Sequence, residues 1–199
     1  MKITISSFIL SALLFLLPQP FQVEKPTIIS VEEWGGKPPT GVVEEHKIAF
    51  ITIHHAGVEM SQDADPEQKL IGLQKFSQED KGWIDIPYHF SIDLDGNIYE
   101  NRPLKFPGDT NTEYDPTGHA LIQVMGNYEV QEINDRQLAS IAHLSAWLSD
   151  HFEVPIQKIA THKDYSDQTV CPGEDLYGYF EDGTIHSMIR EYKSQEKVK

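Results

Sequence analysis

The chain has 199 residues, and its 31 acidic against 16 basic side chains give a formal net charge of −15. That length fits one domain with a sizeable buried core, and that charge makes nucleic acid and anionic membrane surfaces poor partners. Cys171 is the only cysteine, which excludes an internal disulfide and leaves metal ligation or inert burial to explain the thiol.

Lys2 precedes a mostly apolar run over residues 8–17 that Pro18 and Pro20 close. This is the pattern of an export signal over residues 1–22, without a small-residue cleavage site of the usual kind before Val23. The run is short for a membrane span; an uncleaved N-terminal anchor and a buried N-terminal helix are the alternatives. The expected location is periplasmic or extracellular, with no stable membrane insertion once the signal is removed. Residues 23–30 read as a linker, 31–190 as a single folded domain, and 191–199 as a charged, fraying tail.

Residues 31–39 are turn-rich around Trp34. Residues 47–53 read as a core strand apolar on both faces, as when helices cover a sheet on both sides. His54 and His55 stand at its C-terminal end, where ligand sites gather in open α/β sheets. Asp65-Pro66 supplies an N-cap and a first helical position. Leu70, Leu73 and Phe76 then fall at helical spacing toward a core, and Lys81-Gly82 ends the helix. Strands over 88–93 and 98–100 flank an Asp95-Gly96 hairpin turn. Residues 101–118 form a long polar loop of the kind that serves as a lid or binding wall. Residues 119–125 make another apolar strand. Asn134 to Gln137 has the form of a capping box, and the helix behind it buries Leu138, Ile141, Ala142, Ser145, Leu148 and Phe152. A short strand over 156–160 delivers His162, and a helix over 176–189 is interrupted near Gly183.

His162 and Cys171 share one loop, and imidazole and thiolate are favoured zinc ligands. Pro172-Gly173 forces a turn behind the thiolate. A third ligand is available from His54 or His55. Consecutive strand residues point to opposite faces, so only one of the two can face the site, and the residue pattern does not choose between them. Three protein ligands leave zinc a fourth position for water, whose pKa the metal brings to about 7. His143 and His151, on a helix, read as core histidines. The chain has no helical His-Glu-x-x-His, no Gly-x-Ser-x-Gly elbow, no phosphate-cradling glycine loop and no clear pair of carboxylates.

Five segments in order now carry a resemblance. They are Glu33-Trp34-Gly35-Gly36-Lys37-Pro38-Pro39, then Ile51-Thr52-Ile53-His54-His55, then Ile86-Pro87-Tyr88-His89-Phe90 with Asp95-Gly96-Asn97-Ile98-Tyr99-Glu100. Val124-Met125-Gly126-Asn127-Tyr128 follows, and last come Thr161-His162-Lys163-Asp164 and Thr169-Val170-Cys171-Pro172-Gly173. Together they resemble the peptidoglycan recognition protein and type 2 N-acetylmuramoyl-L-alanine amidase superfamily, over nearly all of the chain behind the signal. The resemblance implies an α/β fold, a central mixed β-sheet flanked by helices, with zinc at the floor of a substrate groove. It implies His54, His162 and Cys171 as zinc ligands, with Tyr88 as the active-site tyrosine. Thr169 matches a position held by lysine in phage-type amidases and threonine in recognition-protein amidases. The implied activity is cleavage of the amide between N-acetylmuramic acid and L-alanine, on peptidoglycan or muropeptide, by a monomer.

Arg102 is the only arginine of the 101–118 loop. It is a candidate to bind a stem-peptide carboxylate bidentately, with a surface ion pair as the plain alternative; His55 is a second candidate substrate contact. Departures from the family are also clear. The spacing from His162 to Cys171 is one residue longer than in relatives, Gly108-Asp109-Thr110 stands where they often have Gly-Ala-His, and Pro103-Leu104 replaces a common Gly-Trp. Peptide preference therefore does not carry over. The competing reading is a non-catalytic peptidoglycan-binding module. Receptors of the superfamily typically lack a zinc ligand, whereas all three ligand types are present here, which favours the enzyme. An unrelated zinc hydrolase or metal-storage protein does not fit the ordered matches.

Overall fold

A computed structural model describes residues 22–194. The expected export signal, apart from Gln22, and residues 195–199 lie outside the described residues. Six strands form one mixed sheet: β1 (Ile28–Ile29), β2 (Phe50–His55), β3 (Phe90–Ile92), β4 (Ile98–Glu100), β5 (His119–Val124) and β6 (Ile159–Thr161). Their order across the sheet is β1-β4-β3-β5-β2-β6. β2 runs parallel to β5, with His54 opposite Gln123, and parallel to β6, with Ile53 opposite Thr161. β3 and β4 are the expected antiparallel hairpin. Its turn is closed by the Asp93 carboxylate, which accepts from Asp95 N at 2.9 Å and Asn97 N at 2.8 Å.

Strand alternation sorts the side chains into two unlike faces. Ile51, Ile53, Phe90, Ile92, Ala120, Ile122 and Val124 share one continuous apolar core with Leu138, Ile141, Leu144 and Leu148 of helix α2 (Asp135–His151). Helices α3 (Glu174–Glu181) and α4 (Thr184–Ser194) complete that side through Leu176, Phe180, Ile185 and Ile189. The alternate residues Thr52, His54, Ser91, His119 and Gln123 are buried on the other face. The expectation of a strand apolar on both sides therefore holds for one side only. The second face is polar and hydrogen-bonded, with Thr52 Oγ1 2.7 Å from His119 Nδ1 and Ser91 Oγ donating to Gln123 Oε1 at 3.0 Å. Part of this side is covered by helix α1 (Pro66–Glu79), whose Leu70 packs in a smaller core with Trp34, Ile86, Tyr99 and Met125.

Trp34 is buried and donates from Nε1 to Glu100 O at 2.7 Å. A Cβ on Gly36 would lie 2.3 Å from its indole, so the second glycine of that turn is a steric requirement. Asp65 caps α1 as expected, accepting from Glu67 N and Gln68 N. The helix turns differently from the expectation, however: it buries Leu70, Gln74 and Ser77, and leaves Phe76 46% exposed. Gln74 explains the rotation, because its amide bonds Lys37 N and O and Asp85 and so faces inward. Residues read as linker contribute β1, which pairs with β4, and Val23, whose N–H meets the Asp150 carboxylate. At the other end α4 continues to Ser194, into the segment read as tail, with Tyr192 stacked on His143. The stretch over 156–160 is a short 3-10 turn followed by β6.

The 101–118 loop has no helix or strand, yet it is tied down. His89 spans from Leu121 N, 2.8 Å from Nδ1, to Phe106 O, 2.9 Å from Nε2. His46 spans from Gly118 N, at 2.7 Å, to Leu104 O, at 2.9 Å. Each ring accepts at Nδ1 and donates at Nε2, so both are neutral brackets between the loop and the sheet.

Candidate metal centre and groove

The sheet places the site. Because β6 lies beside β2 with Ile53 opposite Thr161, the next residue of each strand arrives side by side, and the His54 and His162 rings sit 4.6 Å apart between centroids. His162 opens a 3-10 turn that Thr161 and Asp164 cap reciprocally. The loop then returns, and Lys163 N donates to Cys171 O at 2.9 Å, which draws Cys171 back to His162. Cys171 N donates to Thr169 Oγ1 at 3.1 Å, and Sγ accepts from His55 N at 3.3 Å. Behind it Gly173 has φ +94°, and a Cβ there would meet the Tyr128 backbone at 2.5 Å, so glycine alone permits this close approach.

His54, His162 and Cys171 are all buried, and one donor atom from each lies within 4.8 Å of the others. Cys171 Sγ lies 3.6 Å from His54 Nδ1. Burial, with the other histidines around it, holds His54 well below the usual imidazole range, and burial pushes His162 down to about 4 despite nearby Glu113. Burial also pushes the Cys171 thiol up to about 12. Neutral imidazoles offer lone pairs, and a metal would displace the thiol proton. Two nitrogens and one sulfur match a zinc centre with one open position, so the donor set fits that ion. His55 points to the other side, where its Nδ1 accepts from Tyr128 N at 3.3 Å. Of the pair, His54 is the one whose donor atom joins those of His162 and Cys171.

These three line the floor of a cavity of about 370 Å³ that also takes in Tyr88, Thr169, His55 and Gln123. One wall is α1 and the turn after it, through Leu73, Phe76 and Trp83; the other is the 109–112 stretch of the long loop. The Tyr88 ring is 5.1 Å from His54 between centroids. Burial and the nearby Cys171 raise its phenol, so Tyr88 keeps its proton and can donate. Lys81 bridges the rim, with Nζ donating to Asn111 Oδ1 at 2.9 Å and lying 5.6 Å from the Trp83 ring centroid. A smaller apolar pocket of about 170 Å³, floored by Met60, Leu70 and Met125, shares Ala56, Leu73 and Gln123 with the groove.

Arg102 is not in this groove. It is 2% exposed, and its guanidinium donates to Asp85 O, Ile86 O, Pro107 O and the Asp109 carboxylate. A guanidinium so engaged has no free fork for a ligand carboxylate; it ties the segment before Tyr88 to the loop instead. Sequence reasoning assigned Phe76 to the core and passed over Trp83, Thr112 and Tyr114. The signal for the last two was the spacing of Thr110, Thr112 and Tyr114, which puts hydroxyls at alternate positions of a loop opposite the histidines.

A family model described as N-acetylmuramoyl-L-alanine amidase matches residues 44–174. Peptidoglycan-recognition protein SC2 of Drosophila melanogaster is 29% identical over 153 residues, covering 76% of this chain and 83% of that protein. Among solved structures, Drosophila peptidoglycan recognition protein SD superposes with a TM-score of 0.71 at 26% identity, covering 79% of this chain and 94% of that one. The ectodomain complex of peptidoglycan recognition proteins LCa and LCx with bound tracheal cytotoxin gives 0.70 at 25% identity, covering 78% and 95%. The mixed sheet, the groove and these matches together place the chain in the peptidoglycan recognition protein and type 2 N-acetylmuramoyl-L-alanine amidase superfamily.

Proposed function

We propose that this protein is a zinc-dependent N-acetylmuramoyl-L-alanine amidase that cleaves the amide joining N-acetylmuramic acid to L-alanine in peptidoglycan or muropeptides. The observation that carries this reading is the convergence of His54, His162 and Cys171 at the floor of an open groove. A module that only recognises peptidoglycan has no use for a complete ligand set, and the name of each relative above leaves open whether that relative cleaves. Zinc held by these three donors would supply Lewis-acid polarisation of the scissile carbonyl and a water nucleophile at neutral pH.

The chain's own groups divide the remaining work. The protonated Tyr88 hydroxyl donates to substrate or orients the attacking water. The Thr169 hydroxyl accepts from Cys171 N, and its own proton remains to be donated to the developing oxyanion, a contribution worth roughly a few kcal/mol. His55 borders the same groove, but its Nδ1 is already engaged by Tyr128 N, so any contact it offers substrate comes from the rest of the residue. With Arg102 engaged internally and no lysine or arginine among the described residues lining the groove, Lys81 on the rim is the cation placed to meet a stem-peptide carboxylate. The protein acts as an exported monomer, periplasmic or extracellular, and the leader over 1–22 supports that location. Among the described residues no helix is long and apolar enough to cross a membrane.

Mass spectrometry of purified muropeptides incubated with the full chain tests this. Release of free stem peptide, lost with a chelator and restored by zinc, is the expected result. Retention of muropeptide without cleavage, in the presence of zinc, would establish the recognition module instead.

A further inference from the structure

Of three consecutive loop residues, two touch the histidines of the metal centre and the third touches the loop that carries Cys171. Thr112 Oγ1 lies 2.8 Å from His162 Nε2. Tyr114 OH lies 3.4 Å from His54 Nε2, and its ring centroid is 5.0 Å from that of His162. Between them Glu113 accepts from Ser166 Oγ at 2.7 Å, fastening the same stretch to the loop that carries Cys171. In His54 the nitrogen facing Cys171 is Nδ1, so the hydroxyl meets the nitrogen on the far side of the ring.

Which imidazole nitrogen carries the proton is set by what the other nitrogen touches. A ligand histidine is held in one tautomer and one orientation when its distal N–H has an acceptor. Thr112 is arranged as such an acceptor. Its Oγ1 is 2.9 Å from Thr110 Oγ1, and its N–H donates to the same Thr110 oxygen at 3.1 Å. With Thr112 giving its own proton to Thr110, its lone pairs face His162 Nε2–H. Nδ1 of His162 then keeps its lone pair. The Tyr114 hydroxyl stands opposite His54 Nε2 at the longer distance of 3.4 Å, and its oxygen can accept from an Nε2–H there.

We propose that Thr112 and Tyr114 are positioning residues that hold His162 and His54 in the Nε2–H tautomer and in the ring orientation a metal requires, so that the groove-wall loop sets metal affinity. Thr112 has the larger share and Thr110 supports it. This rests on the reading of His54, His162 and Cys171 as a metal site.

Zinc affinity, measured on the full chain by competition with a chromophoric chelator, reads the effect without recourse to turnover. Thr112→Val weakens zinc about tenfold or more, whereas Thr112→Ser keeps wild-type affinity because the hydroxyl is retained. Tyr114→Phe weakens it less, in line with its longer contact. The visible spectrum of the cobalt-substituted protein shifts in Thr112→Val and not in Thr112→Ser. Should Thr112→Val fail to fold, Thr110→Val is measured in its place, since it removes the acceptor behind Thr112 without touching either histidine; its zinc affinity should also fall. Wild-type affinity and an unchanged cobalt spectrum in the folded valine variant would overturn the proposal. Failure of the wild-type chain to bind zinc would overturn the metal-site reading instead.

Discussion

The two faces of one sheet have opposite duties. On β2 and β5 the alternate residues Ile51, Ile53, Ala120, Ile122 and Val124 pack into the core, while Thr52, His54, His119 and Gln123 point the other way. Both sets are buried, but by different means. The apolar face needs only helices laid over it. Each polar group on the second face needs a named partner, because an unpaired buried polar atom costs about 1–3 kcal/mol. The apolar face therefore tolerates changes of shape within limits, whereas the polar face is fixed residue by residue, and the candidate metal centre sits on the fixed one.

The strongest way to separate the two faces is Cys171→Ala. It should abolish stoichiometric zinc by elemental analysis and remove turnover, while circular dichroism stays native; full zinc occupancy would remove Cys171 from the site. Tyr88→Phe should come next, losing most amidase activity with zinc retained, and wild-type turnover would assign the ring to packing. On the other face, Ile122→Ala should cost about 2–5 kcal/mol in denaturant unfolding, yet leave one zinc per folded chain. Loss of metal in that variant would show that the faces are not independent.

Acid probes the polar side more gently. His89 is held down to about 3, chiefly by burial, and His46 is lowered for the same reason. An unfolded histidine titrates near about 6.5. Between that pH and about 3 the unfolded chain binds more protons than the folded one, so stability falls as pH drops through this window. Melting temperatures of the metal-free protein should decline below about pH 6.5. His89→Gln should flatten that slope even though it lowers stability at neutral pH. The smallest effect is expected for His55→Ala, which should keep zinc; if it alone lost the metal, the roles of the two histidines would be exchanged.

Much of this was legible in the chain because the physics is local. Asp65 before Pro66, Asn134 before Gln137, and Asp95-Gly96 mark two helix starts and a hairpin by backbone chemistry that needs no tertiary partner. His162 and Cys171 announce themselves because one loop joins two metal-type ligands. What the chain withheld depends on distant partners. Whether Phe76 faces core or groove turns on Gln74 reaching Lys37 and Asp85. Whether Arg102 greets a ligand or ties backbone turns on four acceptors from two separate segments. The choice between His54 and His55 turns on which strand lies beside β2, a matter of topology that alternation alone leaves open.

The long loop has a consequence for how such a protein can change. Its Thr110–Thr112 stretch forms a wall of the groove and also reaches His162. If the proposed function holds, a lineage or an engineer that rewrites this stretch to admit a different stem peptide also rewrites the surroundings of the candidate metal centre. Substrate range and metal retention are then not separate traits to be tuned in turn. The freer route to new specificity runs along the opposite wall, at Phe76 and Trp83, whereas Lys81 is tied to the same stretch through its bond to Asn111.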